Sequence, residues 1–147
     1  MKNLFFLSAF LIFTCSLNSQ TEFYKNNIIL ANKSYQNENY NTAIVYSMKC
    51  LTEKSNDFLA LALIQLSNHF LGRYEISNEY GNQILNLSTQ QRGNSKIFQL
   101  VLYYQGLNYF GLGQKDIACS FFNLAILTGS ADIFTVQQNK FILETCH

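Results

Sequence analysis

The sequence predicts an all-α fold, a helical solenoid of three stacked helix pairs plus a C-terminal capping helix. The 147-residue chain contains no proline, which favours long uninterrupted helices. Hydrophobic residues make up 48% and charged residues 13%, the composition of a chain that buries a core. Similar residue types recur 34 positions apart, the signature of stacked supersecondary units.

Residues 1–19 form a separate segment. Lys2 gives a positive start, residues 4–13 are apolar except for Ser8, and small polar residues follow. This layout is typical of a secretory signal peptide, whereas a membrane span takes about 20 apolar residues. We therefore expect cleavage near Leu17 or Gln20 and a mature domain over residues 20–147.

Two alternatives for this segment remain open. Residues 12–15 faintly resemble a bacterial lipobox, in which Cys15 would carry a lipid, although Thr14 and Phe13 fit that motif poorly. The segment could also be a buried N-terminal helix. In the exported form we expect a bacterial periplasm or cell envelope rather than the cytoplasm, with membrane contact only through the signal peptide or such a lipid.

The charges of the chain exclude one class of partner. Without Lys2, residues 20–147 contain nine basic and nine acidic side chains. Such a neutral chain gains little from electrostatic steering and has no basic field, so we expect no nucleic-acid partner.

The helix pairs follow from the repeat. The first two units align at a step of 34 residues through the pairs Tyr40/Tyr74, Ala43/Ser77, Tyr46/Tyr80, Cys50/Ile84 and Leu51/Leu85. The third aligns with the second at a step of 41, because a polar stretch over 88–96 inserts an enlarged loop. We place the repeats at about 24–57, 58–88 and 99–129.

The apolar spacing predicts two helices in each unit. The predicted ranges are 23–36, 40–51, 58–71, 74–87, 96–110 and 115–127. Gly72 and Gly113 fall where a helix end favours a residue with positive φ. A capping helix is predicted over 130–145, with Ser130 as its N-cap and Asp132 in its first turn.

These units resemble the tetratricopeptide repeat (TPR). The third unit carries the pattern best, through Gly106, Tyr109, Gly113, Ala118, Phe122 and Ala125. The resemblance covers about residues 24–129, without the opening Trp and closing Pro of the pattern. It implies a non-catalytic scaffold or adaptor that binds another protein in a concave groove formed by the first helix of each pair.

Carrying the groove positions over from the family gives one set of candidate partner-binding residues. They are Asn32, Tyr35, Leu59, Leu66, His69, Phe70, Leu100, Tyr103, Leu107 and Phe110, and Ala62 occupies a further groove position. Chaperone-binding members of the family hold a peptide carboxylate with Lys and Arg in this groove. Here Asn32 matches one clamp position, but the others hold Ile28, Leu63, Leu100 and Tyr104, so we expect an apolar or helical segment as the ligand.

Two other functions are compatible with parts of the sequence. The chain could be a structural subunit whose groove is filled by a second copy or a permanent partner. It could also be an enzyme using Cys119 or His69, but no base lies near a nucleophile in the pattern and no metal-ligand spacing occurs. We therefore predict no catalytic residues, no metal and no cofactor.

The spacing of the cysteines bears on the core and on a possible disulfide. Cys50 and Cys119 occupy apolar positions of second helices and are expected to be small core residues. A helix hairpin turning near Gly129 would place Cys119 opposite Lys140, so a Cys119–Cys146 disulfide is possible but out of register.

Overall fold

The computed structural model describes residues 22–92, 95–128 and 136–146, and these ranges carry seven α-helices. They are α1 (22–36), α2 (Tyr40–Glu53), α3 (Phe58–Phe70), α4 (Tyr74–Leu85), α5 (Ser95–Gly111), α6 (Lys115–Thr128) and α7 (Val136–Cys146). From α2 onward each helix packs on the next, and α3 also packs on α5. The architecture is therefore the predicted all-α solenoid of helix pairs with a C-terminal capping helix.

The turn inside each helix pair has the same backbone geometry. Glu38, Gly72 and Gly113 all have positive φ, of 60°, 71° and 76°. Each donates its N–H to the carbonyl three residues back, and the following residue donates to the carbonyl five residues back. This is the Schellman ending of a helix, in which a left-handed residue satisfies the last carbonyls. The expectation for Gly72 and Gly113 is confirmed, and Glu38 occupies the same place in the first unit.

Small residues bring α5 and α6 close together. A Cβ on Gly106 would lie 2.5 Å from the ring of Phe122, so no larger residue fits at position 106 without a shift. Ala118 and Ala125 are fully buried in the same core as Phe122. The pattern residues of the third unit thus act as close-approach positions between the two helices of the pair.

Polar side chains fix the junctions between units. Asp57 caps α3 by accepting from the backbone N–H of Ala60 at 2.9 Å, and the hydroxyl of Tyr24 donates to the same carboxylate at 2.8 Å. In the next junction Arg92 donates to the carbonyls of Leu85 and Leu87 and lies over the ring of Phe98. The first contact ties α1 to the start of α3, and the second ties the end of α4 to α5.

The capping helix covers the end of the third unit. The Phe141 ring packs edge-on against Phe110 and Phe122, and Ile142 is buried. A disulfide joins Cys119 of α6 to Cys146 of α7. The expectation that this pair is out of register is therefore wrong: it places the two helices directly on either side of Gly129, whereas α6 ends at Thr128 and α7 begins at Val136.

Several expectations lie outside the described residues. They include the signal segment over 1–19 with Cys15, and the N-cap Ser130 with Asp132. Within the described ranges, none of the helices has both the length and the apolar character needed to cross a membrane.

Candidate partner-binding groove

A concave pocket lies on the face formed by the first helix of each pair. Its volume is about 220 Å³. Its lining residues come from α1, α3 and α5, and they are Asn32, Tyr35, Leu59, Ala62, Leu63, Leu66, Ile97, Leu100 and Tyr104. None of them is charged, and Asn32 and the two tyrosine hydroxyls are its polar groups. We call this set the groove pocket.

An aromatic rim, defined by Tyr35, Tyr40, His69, Phe70 and Tyr104, borders the groove pocket. Phe70 stacks on Tyr40 with ring centroids 5.1 Å apart and also contacts Tyr35 and Tyr104. The His69 ring packs edge-on against Tyr104 at 4.7 Å and against Phe70. Phe70 remains 44% exposed, so a large ring is presented to solvent beside the pocket.

A buried polar network supports the rim from below. Nδ1 of His69 lies 2.6 Å from Oδ1 of Asn108. The Asn108 amide donates to Ser77 Oγ at 2.7 Å and to Asn78 Oδ1 at 3.0 Å. Ser77 Oγ in turn donates to the backbone carbonyl of Gln65 at 2.8 Å. The network connects α3, α4 and α5 and fixes the orientation of the imidazole.

Burial favours the neutral forms of three rim residues, His69, Tyr35 and Tyr104. Burial lowers the pKa of His69, and its hydrogen bond to Asn108 offsets part of that effect. Burial and the neighbouring phenols Tyr104 and Tyr40 raise the pKa of Tyr35 well above its usual range. Burial likewise raises the pKa of Tyr104. The groove therefore offers apolar surface and uncharged hydrogen-bonding groups.

The ten candidate residues of the groove separate into three groups. Five of them line the groove pocket, and they are Asn32, Tyr35, Leu59, Leu66 and Leu100. His69 and Phe70 belong to the aromatic rim. The remaining three lie on the α6–α7 side of α5.

Those three residues are engaged within the fold. Tyr103 is buried against Phe122 and hydrogen-bonds Gln138, while Leu107 packs on the core. Phe110 is 41% exposed, but its ring contacts Phe141 of the capping helix. The α5 ring that meets Phe70 is Tyr104.

Three pocket residues, Leu63, Ile97 and Tyr104, are not among the predicted groove residues. They line the pocket together with Ala62, which the family resemblance also assigns to the groove, and the five candidates above. The sequence could have identified two of the three, since the TPR resemblance aligns Leu63 and Tyr104 with positions that hold the peptide carboxylate in chaperone-binding members. Their side chains argue against a carboxylate ligand, and the structure places both of them in the lining of the groove pocket.

Other concave regions are less suited to a partner. A wider depression of about 490 Å³ lies at the turn before α3 and is lined mostly by polar and charged loop residues, among them Glu53, Lys54 and Asp57. Across residues 22–92, 95–128 and 136–146, no group of three or more His, Cys, Asp or Glu side chains is placed to hold a metal ion.

The fold resembles that of a solved TPR structure. The TPR2AB-domain:pHSP90 complex of yeast Sti1 superposes with a TM-score of 0.69 at 15% sequence identity. The match covers 85% of this chain and 46% of that chain, so this protein spans less than half of that one. No protein-family model and no curated protein matches the sequence. The comparison therefore establishes a TPR-like fold.

Proposed function

We propose that this protein is an exported, non-catalytic scaffold that binds an apolar or helical segment of another protein in its concave groove. The observation that carries the proposal is the groove pocket, an uncharged cavity on the face shared by α1, α3 and α5. An apolar concave surface with a few polar groups is the usual form of a specific binding site.

The lining residues argue against a charged ligand. The solved TPR structure that this fold resembles is a complex with pHSP90. In this chain Leu63, Leu100 and Tyr104 line the pocket, and a carboxylate buried there would find no cation among the lining residues. The pocket instead suits an aliphatic or aromatic side chain, as in recognition of an amphipathic helix.

Two features support export. The leader-like composition of residues 1–19 is one, and the Cys119–Cys146 disulfide is the other. Disulfides persist in the periplasm and other oxidising compartments and are rare in the reducing cytosol. We infer an envelope or periplasmic location from their combination.

Catalysis by the two candidate residues is disfavoured. The Cys119 sulfur is bonded to Cys146, so it is not a free nucleophile. His69 is hydrogen-bonded to the Asn108 amide, and its packed neighbours are the rings of Phe70, Tyr74 and Tyr104. A partner-binding role uses these contacts, whereas a hydrolytic role would need an adjacent nucleophile.

Quantitative capture from the native host tests the groove. Leu100→Arg places a charge in the groove pocket, and Val45→Arg places the same charge on α2, where Val45 is 54% exposed. We expect Leu100→Arg to reduce capture of the main partner about tenfold or more, because a desolvated charge would replace an apolar contact. Val45→Arg should capture as the wild type does.

Melting curves recorded alongside must show that both variants fold. Undiminished capture by folded Leu100→Arg would contradict the proposal. Light scattering tests the alternative, a structural subunit with a self-filled groove. A stable dimer that Leu100→Arg dissociates would establish a second copy as the occupant.

A further inference from the structure

The outer face of α6 carries a row of apolar side chains. Ile117, Leu124 and Leu127 are exposed, Leu127 by 82%, and Ser120 is exposed among them. Steps of three and four residues place all four on one side of the helix, whereas Phe122 on the other side is buried in the core. We call these four residues the outer stripe.

The repeat shows that the fold does not require leucines in this stripe. The register positions of Leu124 and Leu127 hold exposed polar residues in the first two units, and these are Lys49, Gln83, Thr52 and Asn86. The same outward positions are thus polar in two helix pairs and apolar only in the third. This difference points to a contact that α6 makes outside its own helix pair.

The outer stripe has little polarity to desolvate. Ser120 Oγ donates to the carbonyl of Asp116 at 3.1 Å, and Thr128 Oγ1 at the end of the helix donates to the carbonyl of Leu124 at 2.6 Å. Residues 117–128 contain no charged side chain, because the charges of α6 are confined to its first two residues. An apolar surface can therefore cover the stripe without leaving a charge or these hydroxyl hydrogens unpaired.

The outer stripe is complementary to a second copy of itself. When two α6 helices pack antiparallel about a two-fold axis level with residue 122, Ile117 lies opposite Leu127 of the other copy, and Ser120 lies opposite Leu124. The small serine leaves room for the leucine, so the side chains of the two helices can interlock. Neither surface carries a charge that would repel the other.

A membrane is a poorer match to the same surface. Helices that lie in a membrane interface carry lysines and arginines along a polar face. In α6 there is a single lysine, Lys115, at the first residue of the helix. The stripe therefore lacks the flanking charge that would hold it at anionic headgroups.

We propose that the protein forms a two-fold dimer in which the outer stripes of two copies pack against each other. The groove pocket is lined by α1, α3 and α5, so this contact goes beyond the proposed function and does not depend on it. One helix face from each copy is a small interface, and we expect a dissociation constant in the micromolar range, about 1–100 µM.

Sedimentation velocity of the protein purified from its host without reductant measures the dimer. Over concentrations of about 1 to 500 µM, the weight-average mass should rise from that of one chain towards that of two. The double variant Leu124→Gln/Leu127→Asn introduces the residues that the second unit carries at the same register positions. It should raise the dissociation constant about tenfold or more, because the apolar contacts are lost.

Two variants serve as controls, and both should dimerise as the wild type does. Val45→Gln replaces an exposed apolar residue of α2, and Leu100→Arg alters the groove pocket. Melting curves at the lowest concentration must show that every variant folds. Because the outer stripe is exposed, the double variant should melt there as the wild type does.

Several results would overturn the dimer. They are a wild type that stays monomeric throughout, a mass that exceeds two chains, a folded double variant that dimerises as the wild type does, and an equal loss in Val45→Gln. A dimer that only Leu100→Arg dissociates would place the second copy in the groove instead. Co-sedimentation of a monomeric wild type with phosphatidylcholine vesicles, abolished in the double variant, would assign the outer stripe to a membrane surface.

Discussion

At the scale of single residues, the core of this protein is unusually rich in amides. Gln65, Gln99, Gln105 and Asn108 are all fully buried. Gln65 donates to the backbone carbonyl of Val101 at 3.0 Å, and Gln105 donates to Asn82 at 2.8 Å, so these amides connect α3, α4 and α5. A buried polar group is costly unless it is bonded, and such bonds therefore specify one arrangement of the three helices.

The titration of His69 should make the stability depend on pH. Burial lowers its pKa in the folded state below the unfolded value of 6.5, so the unfolded chain binds more protons as the pH falls. The contribution of His69 to the free energy of unfolding should therefore be constant above about pH 7.5 and decrease as the pH falls through 6.5. Urea denaturation at pH 7.5 and pH 5.0 measures it.

His69→Gln provides the control for this pH dependence. Glutamine keeps a donor toward Asn108 but does not titrate, so the variant should lose less stability than the wild type between the two pH values. Equal losses in both proteins would show that another group is responsible.

Ala118 tests the close packing inside the third pair. Its side chain is fully buried in the core cluster to which α5 and α6 both contribute, and leucine there would overpack that core. We expect Ala118→Leu to cost about 1–3 kcal/mol of unfolding free energy. Asn123→Leu introduces the same residue at an exposed position of α6 and should change stability by less than about 0.5 kcal/mol. Equal effects of the two substitutions in denaturant titrations would contradict the predicted close approach.

At the scale of elements, the three intra-pair turns show why the helices could be predicted from sequence. The 34-residue step places Glu38 and Gly72 at one repeat position, and the 41-residue step adds Gly113. Local rules set these turns, since a left-handed residue and two backbone bonds suffice. The capping helix is predicted from the sequence as well, but the register of its disulfide is not, because the place of α7 depends on tertiary contacts of Phe141 and Ile142 with the third pair.

Glu38 is a non-glycine residue in a left-handed backbone conformation that favours glycine. With φ of 60° it adopts a conformation that costs a non-glycine residue about 1–2 kcal/mol. Glu38→Gly should therefore raise the unfolding free energy, by about 0.5–1 kcal/mol once the added freedom of the unfolded chain is counted.

The reciprocal substitution is Gly72→Ala. An added Cβ there would meet no atom within 4 Å, so its effect isolates the backbone conformation. It should lower stability by about 1 kcal/mol. If Glu38→Gly destabilises in chemical denaturation while Gly72→Ala does not, the left-handed conformation is not the controlling factor at these turns.

At the scale of the whole molecule, the sequence predicted which helices form the groove but only some of the residues that line its pocket. The repeat register assigns α1, α3 and α5 to one face, and five of the predicted residues line the pocket there. Which face of α5 meets that pocket depends on how three helices cross, and periodicity does not contain this information. Tyr103 and Tyr104 are neighbours in sequence, yet the first is buried toward Phe122 and the second lines the pocket.

The number of free thiols per chain tests two features of the whole molecule. These are the removal of residues 1–19 with Cys15 and the disulfide that joins α7 to the third helix pair. Cys50 is fully buried, and burial raises its pKa to about 11, so the native protein should present no reactive thiol. Protein purified from its host without reductant should then show one thiol per chain in guanidinium with Ellman's reagent, if Cys15 is removed and Cys119 is bonded to Cys146. Cys146→Ser should raise that number to two.

Reduction of the disulfide should also lower the free energy of unfolding. The intact bond closes a loop between residues 27 positions apart and so restricts the unfolded chain, and reduction removes that restriction. We expect a loss of about 2–4 kcal/mol, with α7 the first element to exchange its amide hydrogens. Three thiols in the unreduced, denatured protein would contradict the disulfide, and with it one of the two arguments for export.

N-terminal sequencing tests the other argument, since an intact Met1 would mean that residues 1–19 are not a cleaved leader, and a lipid on Cys15 would place the solenoid at a membrane surface.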